Sequence, residues 1–125
     1  MSESTSASPP RSALVEHISA HAGSLPHPEL RPGSFDVVTM WQSLEHVHSP
    51  CDVLREAFQL LVPGGQLLVS TPNIDSAAFR WFGPSWYGLD LPRHLTHFTR
   101  RTLGAMIETA GFRVNRDVTL RGSYY

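Results

Sequence analysis

Several features are scarce in this sequence, and each scarcity excludes a class of protein. The formal net charge is −1, so no overall basic field attracts a nucleic-acid backbone or an anionic membrane. The single cysteine, Cys51, excludes an intramolecular disulfide. No apolar run approaches the ~20 residues that span a bilayer, and the polar residues 1–10 lack the apolar core of a signal peptide. The sequence therefore predicts a cytoplasmic protein that binds neither nucleic acid nor membrane.

The composition predicts one domain preceded by a short tail. At 125 residues with 41% hydrophobic side chains, the chain can bury a modest core. Residues 1–11 are predicted to be flexible because they hold almost nothing to bury, and residues 12–125 are predicted to form the domain. Within it, residues 12–22 could form a helix or a strand, whereas the three prolines and two glycines of residues 23–33 predict a loop.

The middle of the chain has the pattern of a βαβ unit. FDVVTMW (35–41) is an apolar run without alternation, typical of a strand covered on both faces in a parallel sheet. Ser49 and Pro50 predict the start of an amphipathic helix, which we expect to end at Pro63-Gly64-Gly65. The next strand is predicted over 66–71. The predicted fold class is therefore α/β, with a mostly parallel sheet.

A long irregular segment and a second helix follow. Residues 72–98 are aromatic and too long for an ordinary connection, which favours a binding role. Thr99 can cap a helix that stops at Gly111, and 112–120 can form a strand. Ligands of open parallel sheets bind beyond the carboxyl ends of the strands. We therefore expect the functional site around residues 40–48 and the segment that begins at Pro72.

These motifs carry a family resemblance. FDVVTMWQSLEHVHSP, LVPGGQLLVSTPN, WYGLDLPRHLTHFT and AGF together resemble the later motifs of class I S-adenosylmethionine-dependent methyltransferases, over about residues 23–114. The resemblance implies part of a Rossmann-like sheet, S-adenosylmethionine as cofactor, and methylation of a small-molecule acceptor at oxygen or carbon. It also implies cofactor-binding positions on the loop, on the first strand and just after it: Ser24, Leu25, Met40, Trp41, Gln42 and Glu45.

His94 is the candidate catalytic residue. Imidazole titrates near neutrality and can remove a proton from an acceptor as the methyl group moves. The alternative is a histidine that only packs and hydrogen-bonds. Arg93 is predicted to bind an anionic group of the substrate, and Trp86 and Tyr87 to line its pocket. No metal ion is predicted, because the histidine spacing matches no metal motif and methyl transfer from a sulfonium needs no metal.

Two family features are missing from the sequence. The family holds its cofactor with a Gly-x-Gly-x-Gly loop and an acid on the ribose hydroxyls, and neither is found. The sequence therefore predicts a sheet truncated at both ends, with weak or absent cofactor binding and an open edge that favours self-association. Two functions stay open. One is methyl transfer, and the other is a non-catalytic partner or regulatory module that pairs with a complete methyltransferase.

Overall fold

The computed structural model describes residues 18–119. The predicted flexible tail, and the part of 12–22 before residue 18, lie outside the described residues. Residues 18–34 form no helix or strand, as predicted for 23–33. The elements that follow are β1 (Phe35–Trp41), α1 (Pro50–Leu60), β2 (Leu61–Ser70), α2 (Ala77–Phe82) and α3 (Arg100–Thr109), with short 3₁₀ helices at Leu44–His46, Gly83–Ser85 and Tyr87–Leu89.

The two strands form the predicted parallel βαβ unit. In register, Val38 lies opposite Leu67 and Met40 opposite Val69. The first turn of α1 carries Pro50 and Asp52, which suit the positive end of a helix. The fold is therefore α/β, and its described part is a two-stranded piece of a parallel sheet.

The boundary between α1 and β2 differs from the prediction. The helix ends at Leu60, before the Pro-Gly-Gly sequence, and β2 starts at Leu61 instead of Gln66. Leu61 pairs with Phe35, and the next pairing joins Gln66 to Val37, so Pro63-Gly64-Gly65 lies in a bulge of β2. Gly64 has φ of +80°, and a Cβ on Gly65 would lie 2.9 Å from the Val62 carbonyl oxygen. These residues therefore shape the strand and do not end the helix.

The hydrophobic core lies on one face of the sheet. Met40, Leu44, Leu54, Ala57 and Phe98 form a buried cluster, and α3 adds apolar side chains to it. The other face is exposed at Val37, Trp41 and Leu68, so the prediction that β1 is covered on both faces is wrong for the described chain. The sequence of β1 has the pattern of a doubly covered strand because its outward-facing residues Val37 and Trp41 are also apolar.

The chain after β2 forms a loop that is closed at its base. Asn73 forms a β-bridge with Phe98, and the Ile74 N–H donates to the Phe98 carbonyl oxygen at 2.9 Å. Helix α3 then begins at the predicted cap, where Thr99 and Thr102 form a reciprocal capping box. Residues 112–119 form no strand, which corrects the prediction for 112–120: the described residues contain no third strand for them to pair with.

Candidate functional site

The carboxyl ends of the two strands meet at Gln42 and Ser70. The Gln42 N–H donates to the Ser70 carbonyl oxygen at 2.8 Å, and its side-chain amide donates to Ser70 Oγ at 3.1 Å. Gln42 has φ of +48°, a left-handed conformation that turns the chain away from the strand. The turn leads directly into the 3₁₀ helix Leu44–His46, which carries the first part of the site.

Glu45 joins this helix to the distant Pro-Arg-His-Leu segment. Its carbonyl oxygen accepts hydrogen bonds from the backbone N–H groups of Leu95 at 2.8 Å and Thr96 at 3.3 Å. Its side chain is only 1% exposed, and neither carboxylate oxygen has a hydrogen-bond partner. A buried carboxylate without a donor costs free energy. Within residues 18–119, the two Glu45 oxygens are the buried side-chain polar atoms that lack a hydrogen-bond partner.

Three histidines hold backbone carbonyl groups of the segment 88–93. His46 Nδ1 lies 3.0 Å from the Arg93 carbonyl oxygen, His94 Nδ1 lies 2.7 Å from that of Gly88, and His97 Nε2 lies 2.7 Å from that of Leu89. A carbonyl oxygen only accepts hydrogen bonds, so each of these ring nitrogens must carry the proton. In a neutral His94 ring, Nε2 therefore keeps a free lone pair.

The free nitrogen of His94 faces two carboxylates. Nε2 lies 3.9 Å from Glu45 Oε1 and 3.7 Å from Asp90 Oδ2, and the side chain is almost fully buried. The His46 ring packs edge-on against the His94 ring with centroids 4.7 Å apart. The nitrogen that keeps the lone pair thus lies between the carboxyl groups of Glu45 and Asp90. The arrangement suits a group that accepts a proton during a reaction.

Asp90 is held by Arg93. The guanidinium donates to Asp90 Oδ1 through Nε at 3.1 Å and Nη2 at 2.8 Å. These hydrogen bonds, together with the positive charge of Arg93 and the nearby His94 and His46 rings, hold the pKa of the Asp90 carboxyl below its ordinary value. Asp90 also adopts a left-handed conformation with φ of +34°. Asp90 therefore remains ionised beside His94 at neutral pH.

An aromatic wall stands beside this group. Trp86 is buried against Phe79 and lies on Gly88, where any Cβ would overlap the indole ring. Tyr87 is 68% exposed. An open depression of about 550 Å³ is lined by the following residues: Pro84, Trp86, Tyr87, Leu89, Asp90, Leu91 and Arg93. The predicted substrate-binding residues Trp86, Tyr87 and Arg93 thus lie along one surface.

The other sequence-predicted residues are more scattered. The Met40 side chain is buried in the core, Trp41 points to the exposed face, Ser24 is exposed, and Leu25 packs against the core from the loop. The cofactor roles predicted for them stay predictions.

Sequence reasoning missed Asp90 and Gly88 as parts of the site. An acid three residues before Arg93 was a usable signal, because such a pair can interact locally. Nothing in the sequence shows that the Gly88 carbonyl meets His94.

The site also holds a set of possible metal ligands. One ligand atom each from Glu45, His46 and His94 lie within 4.8 Å of one another. His46 and His94 both use Nδ1 on a carbonyl oxygen, which leaves Nε2 for a cation, as in many metal sites. The residues would therefore fit a divalent ion geometrically, and the absence of a metal from the reaction stays a prediction.

Comparisons with known proteins identify the family of the chain. A family model described as a methyltransferase domain matches residues 4–116. A ubiquinone biosynthesis O-methyltransferase of Pseudomonas paraeruginosa is 40% identical over 99 residues, covering 74% of this chain and 42% of that protein. One from Xanthomonas euvesicatoria is 41% identical over 70 residues, covering 54% of this chain and 29% of that protein. No solved structure matches the chain significantly.

These findings fix the class of the protein. The parallel βαβ unit, with polar groups gathered beyond its strand ends, is consistent with part of a Rossmann-like α/β fold. The chain belongs to the methyltransferase domain family and, within it, to the class I S-adenosylmethionine-dependent methyltransferases. It spans less than half the length of the curated relatives it matches. Among residues 18–119, no helix has the length and apolarity needed to cross a membrane.

Proposed function

We propose that the protein takes part in methyl transfer from S-adenosylmethionine to an oxygen atom of a small molecule. The observation that carries the proposal is His94, whose Nδ1 is fixed on the Gly88 carbonyl oxygen while Nε2 faces two carboxylates. Both relatives described above are O-methyltransferases, which supports oxygen over carbon as the methylated atom. The acceptor would then present a hydroxyl group to Nε2.

The residues at the strand ends fit one end of the cofactor. The exposed Trp41 indole, at the carboxyl end of β1, offers an aromatic face to the positively charged sulfonium. Gln42 and Ser70 close the strand ends beside it. The sequence has no Gly-x-Gly-x-Gly loop, so the fit extends to the methionine end and not to the adenosine end. Bound there, S-adenosylmethionine supplies an electrophilic methyl group.

His94 would act as the general base. Nε2 would accept the proton of the acceptor hydroxyl, and the Nδ1–H bond to Gly88 holds the ring in place. The cofactor, when bound, would lose its methyl group to the acceptor oxygen and leave as S-adenosylhomocysteine. Glu45 and Asp90 stabilise the imidazolium that forms. The 1% exposure of Glu45 favours this role over the direct cofactor contact that the family resemblance implies. Arg93 and Tyr87 would contact the acceptor from the depression.

The test combines binding with turnover. The purified chain is titrated calorimetrically with S-adenosylhomocysteine, and hydroxylated aromatic acceptors are screened by mass spectrometry for a gain of one methylene group. We expect weak binding, and a rate lowered about 10²–10⁴-fold in His94→Gln with cofactor affinity unchanged. His48→Gln, an exposed histidine outside the site, is the matched control. A folded chain that neither binds S-adenosylhomocysteine nor methylates an acceptor would overturn the proposal.

A second candidate function rests on the exposed sheet face. Val37, Trp41 and Leu68 leave apolar surface open on a sheet of two described strands, and such a surface favours association. The chain would then serve as a non-catalytic partner of a complete methyltransferase. Stable co-purification with such an enzyme, combined with no cofactor binding by the chain alone, would select this function.

Metal dependence separates two forms of the reaction. Methyl transfer from a sulfonium needs no metal, so we expect activity to be unchanged by a chelator. Loss of activity with EDTA, and recovery with Zn²⁺ in wild type but not in Glu45→Gln, would assign the Glu45, His46 and His94 group to an ion instead.

A further inference from the structure

A second cluster of ligating side chains lies outside the site described above. It is formed by His21, His27 and Glu29, which we call the loop cluster, on the loop that precedes β1. One ligand atom from each residue lies within 4.8 Å of the other two. His21 Nδ1 is 2.9 Å from Glu29 Oε2, and His27 Nδ1 is 4.0 Å from the same oxygen. We propose that the loop cluster binds one transition-metal ion, with Zn²⁺ as the best fit.

The His27 ring is already oriented for this role. Its Nε2 lies 3.1 Å from the Ala22 carbonyl oxygen, so that nitrogen carries the proton. Nδ1 accepts a long hydrogen bond of 3.3 Å from the Glu29 backbone N–H, and a bound ion would take the place of that donor. Ligating histidines commonly donate their second N–H to a backbone carbonyl, which fixes the tautomer. The ring also rests on Gly23, where an added Cβ would lie 3.3 Å from His27 Cδ2. His27 is only 13% exposed in its side chain, so little ordering remains when an ion binds.

The chemistry of the three donors selects the ion. Two imidazoles and one carboxylate are the ligand set of an open zinc site, in which water or another ligand completes the tetrahedron. Hard ions such as Mg²⁺ and Ca²⁺ prefer oxygen ligands and would bind more weakly. Space for the fourth ligand exists, because His21 and Glu29 line an open depression of about 540 Å³.

Ion binding would stabilise the conformation of the loop before β1, which contacts the core and the end of α1. Leu25 of this loop packs against the core, and the end of the loop is joined to the end of α1 through the Gly33 N–H, which donates to the Gln59 carbonyl oxygen at 2.8 Å. An ion held by His21, His27 and Glu29 would shorten the free part of the loop, and binding to the folded state alone raises the thermal midpoint. The proposal does not depend on methyl transfer.

The test is a titration of the purified chain with Zn²⁺ alone. Imidazole signals are followed by nuclear magnetic resonance, with thermal unfolding at each ion concentration. We expect His21 and His27 signals to shift together and the unfolding midpoint to rise. His21→Ala and Glu29→Gln should each weaken binding by about tenfold or more, while His48→Ala leaves it unchanged. Circular dichroism confirms that each variant folds.

Two results would overturn the proposal. One is a wild-type chain whose His21 and His27 signals do not respond to Zn²⁺. The other is binding that survives in both His21→Ala and Glu29→Gln but is lost in His94→Gln, which would place the ion at the group around Glu45. Because the readout uses ring signals and unfolding and not turnover, its failure is separate from failure of the proposed methyl transfer.

Discussion

The Gly88 carbonyl oxygen lies 2.7 Å from His94 Nδ1, and this contact decides which nitrogen of the ring can act. The same glycine lies under the Trp86 indole. One residue without a side chain therefore sets both the tautomer of the proposed base and the position of the aromatic wall.

Gly88→Ala should disturb both contacts. Its Cβ would overlap the Trp86 ring, so the backbone must move and the hydrogen bond to His94 lengthens. We expect a loss of about 1–3 kcal/mol in the free energy of unfolding and lower methylation. Gly104→Ala in α3 is the control, because nothing lies within 4 Å of its added Cβ, and it should keep or raise stability. Equal effects of the two substitutions in urea unfolding would contradict the assignment.

Glu45→Gln should raise stability while lowering activity. The carboxylate is 1% exposed and has no hydrogen-bond partner, and an amide is cheaper to bury than a charge. The backbone link to Leu95 is kept, so the fold should persist. We expect the free energy of unfolding, measured by thermal unfolding, to rise by about 1–3 kcal/mol. Proton transfer to His94 should be slower. Glu108→Gln, at an exposed position of α3, should change neither quantity. A clear loss of stability in Glu45→Gln would show that the charge is partnered in solution.

Arg93→Gln should change how stability depends on pH. Arg93 lowers the pKa of Asp90 in the folded state, so its contribution is present above the ordinary pKa of an aspartate, about 4. It is lost as the pH falls through the lower folded-state pKa. We expect wild type to be more stable than the variant at pH 6, with the difference vanishing in the acid range. Arg101→Gln, an exposed arginine of α3, should show no such trend. If the stability difference between wild type and Arg93→Gln instead grew below pH 4, the pH dependence would have the opposite sign. The interaction of Arg93 with Asp90 would then be excluded as its cause.

The exposed sheet face predicts self-association. Val37 is 49% and Leu68 41% exposed on that face. Threonine is favoured in strands, so replacing both residues with threonine removes apolar surface while keeping the strand. Light scattering should then show a smaller apparent mass for the variant than for wild type. Val118→Thr is matched to it, because Val118 is 56% exposed but lies outside the sheet. A wild-type chain that is monomeric at high concentration would exclude this use of the surface.

Local patterns predicted most of the fold, and long-range contacts defined the site. Helices α1 and α3 start at the predicted positions, because a first-turn proline such as Pro50 and a cap such as Thr99 act locally. The Ser49 hydroxyl caps no backbone N–H and bonds the Asp52 carboxylate instead. The end of α1 was predicted late, since Pro-Gly-Gly suits both a turn and a bulge.

His94 was predicted to be catalytic from its residue type and from the family resemblance, and that role stays a prediction. Its contact with Gly88 depends on the conformation of the irregular segment just before it, and its contact with Glu45 on the folding of distant segments onto each other. The pairing of the Glu45 carbonyl with Leu95 has no local signature, so no reading of the sequence alone would have found it.

The bridge between Asn73 and Phe98 has a consequence for how new acceptors could be accommodated. The two ends of the intervening segment are joined at one point. We therefore expect its outer part, which carries α2, to tolerate replacement by the corresponding residues of a relative. The histidine contacts to residues 88–93 would stay with the scaffold. Grafting residues 77–85 from a relative onto this chain should therefore alter which acceptor is recognised and leave the proton-accepting group in place.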